Sequence, residues 1–281
     1  MTIGIEPLTD FIGARVQGID MGEPLDADTM ARLRAAWLQY EVLVFPRQTA
    51  LTPEGHIAFT RNFGEPISIT LKQYDLPEHQ EIVVISNLKK DGKPVGVPLA
   101  YTWHTDGQHF REPVWGSILW GKEVPLEKGD TLFANMALAY DELPEETKRR
   151  IEGLKVLHSR VRVYPIHYPD RRPMTEDEKA TMPDVVQPLV RTHPETGCKA
   201  LYLKGNAGWE VVGMPRDEGL ALLDELEAFA TRPERVYAHR WEQGDAVFWD
   251  NRSTMHSATP YDMTRYRRVM YRTTIAGDVP Y

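Results

Sequence analysis

The chain has 281 residues, 42% hydrophobic, 10% aromatic and 26% charged, a composition that gives a globular protein with a sizeable core and excludes a disordered, fibrous or repeat sequence. Its formal net charge of -8 at pH 7 lacks the Lys and Arg excess that neutralises phosphates, which excludes nucleic acid as a partner. The single cysteine, Cys198, rules out an intrachain disulfide and a thiolate zinc cluster, so any chemistry falls to imidazole, carboxylate and guanidinium groups.

Along the chain, residues 1–17 mix Glu6, Asp10 and Arg15 among apolar side chains and carry no signal-peptide core. With no apolar run near the ~18 residues of a membrane helix, the expectation is a cytoplasmic protein with no membrane partner. Asp26 or Asp28 caps a predicted helix over 29–40, whose apolar side chains are Met30, Leu33, Trp37 and Leu38. A strand over 40–46 follows, then a helix over 53–63 that stops at Gly64, and a strand over 82–86. Residues 89–98 read as a Gly/Pro/Lys-rich loop, and 115–121 and 129–136 as strands. From Asp141, D-E-L-P-E-E-T-K-R-R-I-E-G-L predicts a helix with acids early and bases late. The charged, Pro-rich stretch near 160–188 has no clean period and reads as a long loop or lid insertion. Strand-like runs at 188–193 and 200–203, a helix over 216–231 and closing strands at 237–241, 245–249 and 268–276 complete the chain.

This order predicts a mainly β fold with flanking helices, a sandwich or jelly roll, as a single domain over 1–281. The chain has neither a G-x-G-x-x-G turn nor a G-x-x-x-x-G-K-[ST] loop, so nucleotide binding has no support.

Chemistry concentrates at Trp103-His104-Thr105-Asp106. On a strand, residues two apart share a face, so His104 and Asp106 would present an imidazole and a carboxylate side by side. One more imidazole completes the two-His, one-carboxylate set of non-haem Fe(II) sites, and His256, shortly after the apolar run ending Phe248-Trp249-Asp250, is the candidate. The competing reading is a histidine simply paired with Asp106. Further on, Arg265, Arg267, Arg268 and Arg272 form a cationic run, and Arg268, Met270 and Arg272 share one face of a strand. Buried, those arginines need an anion such as a dicarboxylate; exposed, they would be an ordinary salt-bridged strand.

W-H-T-D, K-G-D-T-L-F from Lys128, P-L-V-R-T-H from Pro188, W-D-N-R-S-T-M-H ending at His256 and R-R-V-M-Y-R-T-T-I-A-G-D from Arg267 are similar to the Fe(II)/2-oxoglutarate-dependent taurine dioxygenase family, which includes the 2,4-dichlorophenoxyacetate dioxygenases. I-G-A-R-V-Q-G-I-D from Ile12 and F-G-E at Phe63 extend the likeness over nearly the whole chain. The resemblance implies a double-stranded β-helix, a jelly-roll variant, in which His104, Asp106 and His256 hold Fe(II). It implies that Thr131 and Arg268 bind the distal carboxylate of 2-oxoglutarate, and that Arg272 lies near both cosubstrate and an anionic substrate group. Related halogenases replace the carboxylate ligand by a small residue, so Asp106 implies hydroxylation, with O2 consumed and succinate and CO2 released.

Where the taurine enzymes carry a histidine, a tyrosine and an asparagine, this chain has Ile69, Lys72 and Ala100, so taurine is not the implied substrate. The run 182–193 resembles the phenoxyacetate branch, which implies a small organic acid, whether carboxylate, aryloxy acid or sulfonate. Lys72 and Asn206 become candidate substrate-binding residues, with Tyr101, His109, Phe110 and Trp209 as candidate lining. A homo-oligomer is expected from family habit. The reading from a different class is a non-redox, metal-binding jelly roll acting as an isomerase, hydrolase or sensor.

Overall fold

Capping and burial explain where the elements begin. In the computed structural model, which describes residues 3–70, 72–97, 100–167 and 172–281, β1 (Gly4–Pro7) and β2 (Ala14–Gln17) pair antiparallel. Asp26 then accepts the Thr29 amide at 2.7 Å and starts α1 (Ala27–Tyr40), which buries Leu33, Ala36 and Trp37. Glu41 ends the helix in the left-handed conformation, φ 63°, and releases the chain into the fully buried β3 (Val42–Phe45). Thr52 caps α2 (Pro53–Arg61), and β4 (Pro66–Ile67), β5 (Asp75–Leu76) and β6 (His79–Ser86) follow. The expected loop at 89–98 contains a small hairpin, β7 (Lys89–Lys90) with β8 (Lys93–Pro94); its Pro98 end lies outside the described residues.

Then come β9 (Gly116–Glu123) and β10 (Thr131–Asn135). Asn135 caps a helix, α3 (Met136–Asp141), that sequence reading did not predict, its strand running on to Met136 and leaving 137–140 unassigned, and Pro144 starts α4 (Glu145–Ile151) three residues later than the predicted Asp141 start. The 160–188 stretch is more structured than a loop. It holds α5 (Arg160–His167), α6 (Glu176–Ala180) and, after β11 (Lys155–His158), the β12 strand (Val185–Pro188) that pairs with it. Residues 168–171 of that stretch lie outside the described residues. The α6 start is a capping box of Thr175 and Glu178, a signal present in T-E-D-E but too short for a periodicity search. The remaining elements are β13 (Val190–Thr192), β14 (Lys199–Leu201), β15 (Gly208–Val211), α7 (Arg216–Ala230), β16 (Val236–His239), β17 (Ala246–Asp250), β18 (Thr254–Ala258) and β19 (Val269–Ile275).

The larger sheet runs β1-β2-β3-β17-β9-β19-β6-β5, and a smaller one runs β16-β10-β18. Phe133 of the smaller sheet packs with Val42, Leu119, Val247, Trp249 and Met270 of the larger, so the two faces enclose one apolar layer. On the larger sheet's other side, α1 and α2 pack Trp37, Phe59 and Phe63 against Phe45 and Phe248, with Trp37 and Phe248 stacked at 4.4 Å. Together these layers are the jelly roll that sequence reading expected.

Two buried histidines outside the predicted metal group link this core to pH. Burial pushes His56 and His158 down to about 3, so both fold as neutral imidazoles. Since the unfolded chain takes up these protons below about 6.5 and the folded one does not, stability falls as pH drops from there toward 4, by about 1.4 kcal/mol per pH unit for each histidine. Denaturant unfolding across that range is expected to show the decline, and His56→Leu should flatten part of it; a pH-independent midpoint would contradict the burial.

Candidate active site

The smaller sheet brings the two predicted imidazole ligands together through backbone pairing. β10 and β18 pair antiparallel with Phe133 opposite His256, and His256 in turn exchanges backbone hydrogen bonds with His104, amide to carbonyl at 3.0 Å and 2.9 Å. His104 is a single bridge residue rather than part of a strand, and Asp106 begins a turn in which Gly107 has φ 73°. The strand geometry expected for His-x-Asp is therefore corrected: a turn, not side-chain alternation, brings the carboxylate round. Nevertheless the ligand atoms of His104, Asp106 and His256 lie within 4.8 Å of one another, and all three residues are buried.

Protonation suits metal binding. The carbonyl of Thr102, 2.8 Å from His104 Nδ1, can only accept, so Nδ1 carries the proton and Nε2 presents its lone pair. Nε2 stands 3.9 Å from Asp106 Oδ1. Burial, reinforced by His104, pushes His256 down to about 3, and burial also lowers His104, so both imidazoles are neutral. Burial alone would raise Asp106, but the Arg272 guanidinium, helped by the Ser117 hydrogen bond, outweighs it and holds the carboxyl at about 2. Two neutral imidazoles and one carboxylate form a donor set suited to a divalent transition metal, and the buried His256 Nδ1 has no partner among the described residues.

Arg272, on β19, donates from Nη1 to Asp106 Oδ1 at 2.8 Å. Arg268 stands immediately before that strand. Its amide donates to Asn87 Oδ1 at 2.9 Å, but its guanidinium, fully buried 6.0 Å over the Trp241 ring, meets no acidic residue among those described and has an unpartnered Nε. Burial lowers its pKa to about 10. Trp241 also donates its indole N–H to Thr131 Oγ1 at 3.0 Å, tying the hydroxyl and the cation to one ring. Trp241, which joins these two candidates, was not singled out from the sequence, because a lone tryptophan at the end of the predicted 237–241 strand carries no signal of its own.

The substrate candidates divide. Asn206 is half-buried and follows Gly205 (φ 50°), whose backbone lies so close that a Cβ there would sit 3.5 Å from the His104 Cα and collide with Gln108. Lys72, in contrast, stands exposed in a 3-10 turn (Lys72–Tyr74) with no ion pair among the described residues. His109 is half-buried beside Phe110, ring centroids 4.3 Å apart, and burial with the Arg160 charge brings it to about 4. Trp209 lies under Arg216 at 4.0 Å, and Tyr101 is exposed. A cavity of about 1080 Å³, lined in part by Arg47, His239 and Trp241, does not include the His104–Asp106–His256 group.

Residues 4–274 match the family described as taurine catabolism dioxygenase TauD, TfdA family. The chain belongs to this family. It is 36% identical to the (S)-phenoxypropionate/alpha-ketoglutarate-dioxygenase of Sphingobium herbicidovorans, over 98% of this chain and 95% of the relative. With the alpha-ketoglutarate-dependent 2,4-dichlorophenoxyacetate dioxygenase of Cupriavidus pinatubonensis it shares 35%, over 98% of both. The crystal structure of AAD-2 in complex with Mn(II) and N-oxalylglycine superposes with a TM-score of 0.84 at 36% identity, covering 100% of this chain and 99% of that one. As a TauD/TfdA enzyme the chain is a 2-oxoglutarate-dependent dioxygenase that uses a divalent metal, which sets aside the non-redox isomerase, hydrolase or sensor.

Proposed function

We propose that this dioxygenase uses Fe(II) to hydroxylate a small organic acid, a carboxylate, aryloxy acid or sulfonate, converting 2-oxoglutarate and O2 to succinate and CO2. His104, Asp106 and His256 hold the metal, a reading supported by their mutual approach and neutral imidazoles. Bound there, Fe(II) would supply the redox chemistry that couples decarboxylation to hydroxylation. Thr131 and Arg268 take the distal carboxylate of 2-oxoglutarate; the single observation that carries this is the buried Arg268 guanidinium with no acidic partner among the described residues. Arg272 faces both cosubstrate and substrate anion, Asn206 lines the substrate side, and Lys72 meets the acid group only if its turn folds inward.

Anaerobic addition of Fe(II) and 2-oxoglutarate is expected to give a weak visible charge-transfer band, and its absence would sink the reading. A screen of phenoxy acids, sulfonates, sulfate esters and small carboxylates for substrate-dependent succinate release then names the substrate class. Arg272→Ala should raise the half-saturating concentrations of 2-oxoglutarate and of the acid together, each at least about tenfold; unchanged values for both would remove Arg272 from the site.

The organisation we propose is one dioxygenase domain over 1–281, with a lid or loop insertion at about 160–188, in a cytoplasmic homo-oligomer. In support, the segment's first residue, Arg160, acts electrostatically on His109, while exposed Leu126 and Ile166 offer apolar contacts for a second copy. No helix among the described residues is long and apolar enough to cross a membrane. Sedimentation measures the oligomeric state directly.

A further inference from the structure

The hydrogen bonds behind Asp106 have a forced direction. An indole N–H can only donate, and that of Trp249 donates to Asn251 Oδ1 at 3.0 Å. The same oxygen accepts the Asp106 amide at 3.2 Å, which fixes the carboxamide with its amino group on the far side. There Asn251 Nδ2 donates to Ser117 Oγ at 2.9 Å. With its oxygen so engaged, the Ser117 hydroxyl turns its own proton to Asp106 Oδ2 at 2.7 Å. All four residues are fully buried, so water does not compete for these bonds. Strand pairing builds the arrangement: β17 lies against β9 with Trp249 opposite Ser117, and Asn251 follows in the turn that leaves β17.

We propose that Ser117, oriented by Asn251 and Trp249, is a positioning residue that makes Asp106 a one-oxygen metal ligand. Oδ2 is turned back onto the hydroxyl, whereas Oδ1, which also accepts Arg272 Nη1 at 2.8 Å, is the oxygen 3.9 Å from His104 Nε2 and so stands on the side that would face the metal. A carboxylate free to chelate through both oxygens would fill a coordination position that cosubstrate or O2 needs, and the serine withholds the second oxygen. The inference rests on the metal-site assignment made above and concerns how that site is held.

The test uses the full chain loaded with Mn(II) for affinity by calorimetry and with Co(II) plus N-oxalylglycine for its visible spectrum, which reports coordination number. Ser117→Ala is expected to lose about tenfold in Mn(II) affinity and to change the intensity of the Co(II) band. Asn251→Asp, which removes the donor that orients the hydroxyl without touching the Asp106 side chain, should move both readouts the same way. Ser117→Thr, which keeps the hydroxyl, should restore them. Parent-like affinity and spectrum in Ser117→Ala or in Asn251→Asp would overturn the proposal, as would a loss in Ser117→Thr equal to that in Ser117→Ala, which would assign the effect to packing. His104→Ala separates the two readings: Mn(II) binding that survives it disproves the metal site itself, whatever Ser117 does.

Discussion

Asp106→Ala is expected to reduce substrate-dependent succinate release to background and to abolish Mn(II) binding measured by calorimetry. The carboxylate is the negative charge in the His104–Asp106–His256 group, and two neutral imidazoles alone are a weak site for a hard divalent ion. The same substitution strands Arg272, whose ion-pair partner at 2.8 Å is Asp106. Breaking a buried pair by removing one member costs about 3–5 kcal/mol, so the metal-free variant should also unfold at lower denaturant. An active variant, or one as stable as the parent, would show that the pair is not what the geometry indicates. Asp106→Asn provides the intermediate case, since it keeps the shape and an acceptor for Ser117 while losing the charge.

Arg268→Met is expected to do the opposite to stability while being as damaging to function. In the ligand-free protein the guanidinium is buried with no acidic partner among the described residues, so replacing it with an apolar chain should stabilise the fold, by about 1–4 kcal/mol. With 2-oxoglutarate present the sign reverses. Losing one partner of a buried, hydrogen-bonded charge pair costs about 2–5 kcal/mol, so cosubstrate affinity should fall about thirtyfold or more. Calorimetric titration of the Mn(II) form with 2-oxoglutarate, alongside denaturant unfolding without it, reads both effects. A variant that loses stability and binding in parallel would mean that Arg268 serves the fold, and the cosubstrate assignment would fail.

How far the sequence could be read depended on whether a signal was local. The apolar runs at 42–45, 82–86, 116–121 and 246–249 are continuous because those strands lie inside the larger sheet, buried on both faces, and they stood out in composition. His104, Asp106 and His256 could be found because two of them share a tetrapeptide and the third follows a core strand. Their backbone was misjudged, since an isolated bridge and a turn have no periodicity to detect. Residues that act by long-range contact left no trace. Trp241 reaches Thr131 from another connection, and Ser117 meets Asn251 only through the register of β9 and β17. The short α3 was missed because its first residue, Met136, continues the apolar run of β10 and its six residues, like the five of α6, are fewer than the window a helical period needs.

The reciprocal backbone bonds between His104 and His256 also say when the site can exist. They join residues from opposite halves of the chain, and His256 is placed by β18, which needs β10 beside it. Closing such distant segments is late and slow in folding. The three proposed ligands therefore converge only in a chain whose smaller sheet has already formed, and on that assignment a metal ion would have no complete set to grip before then. Metal would load onto finished protein and act as a lock, drawing the equilibrium toward the folded form in proportion to its concentration, rather than as a template around which the chain first organises.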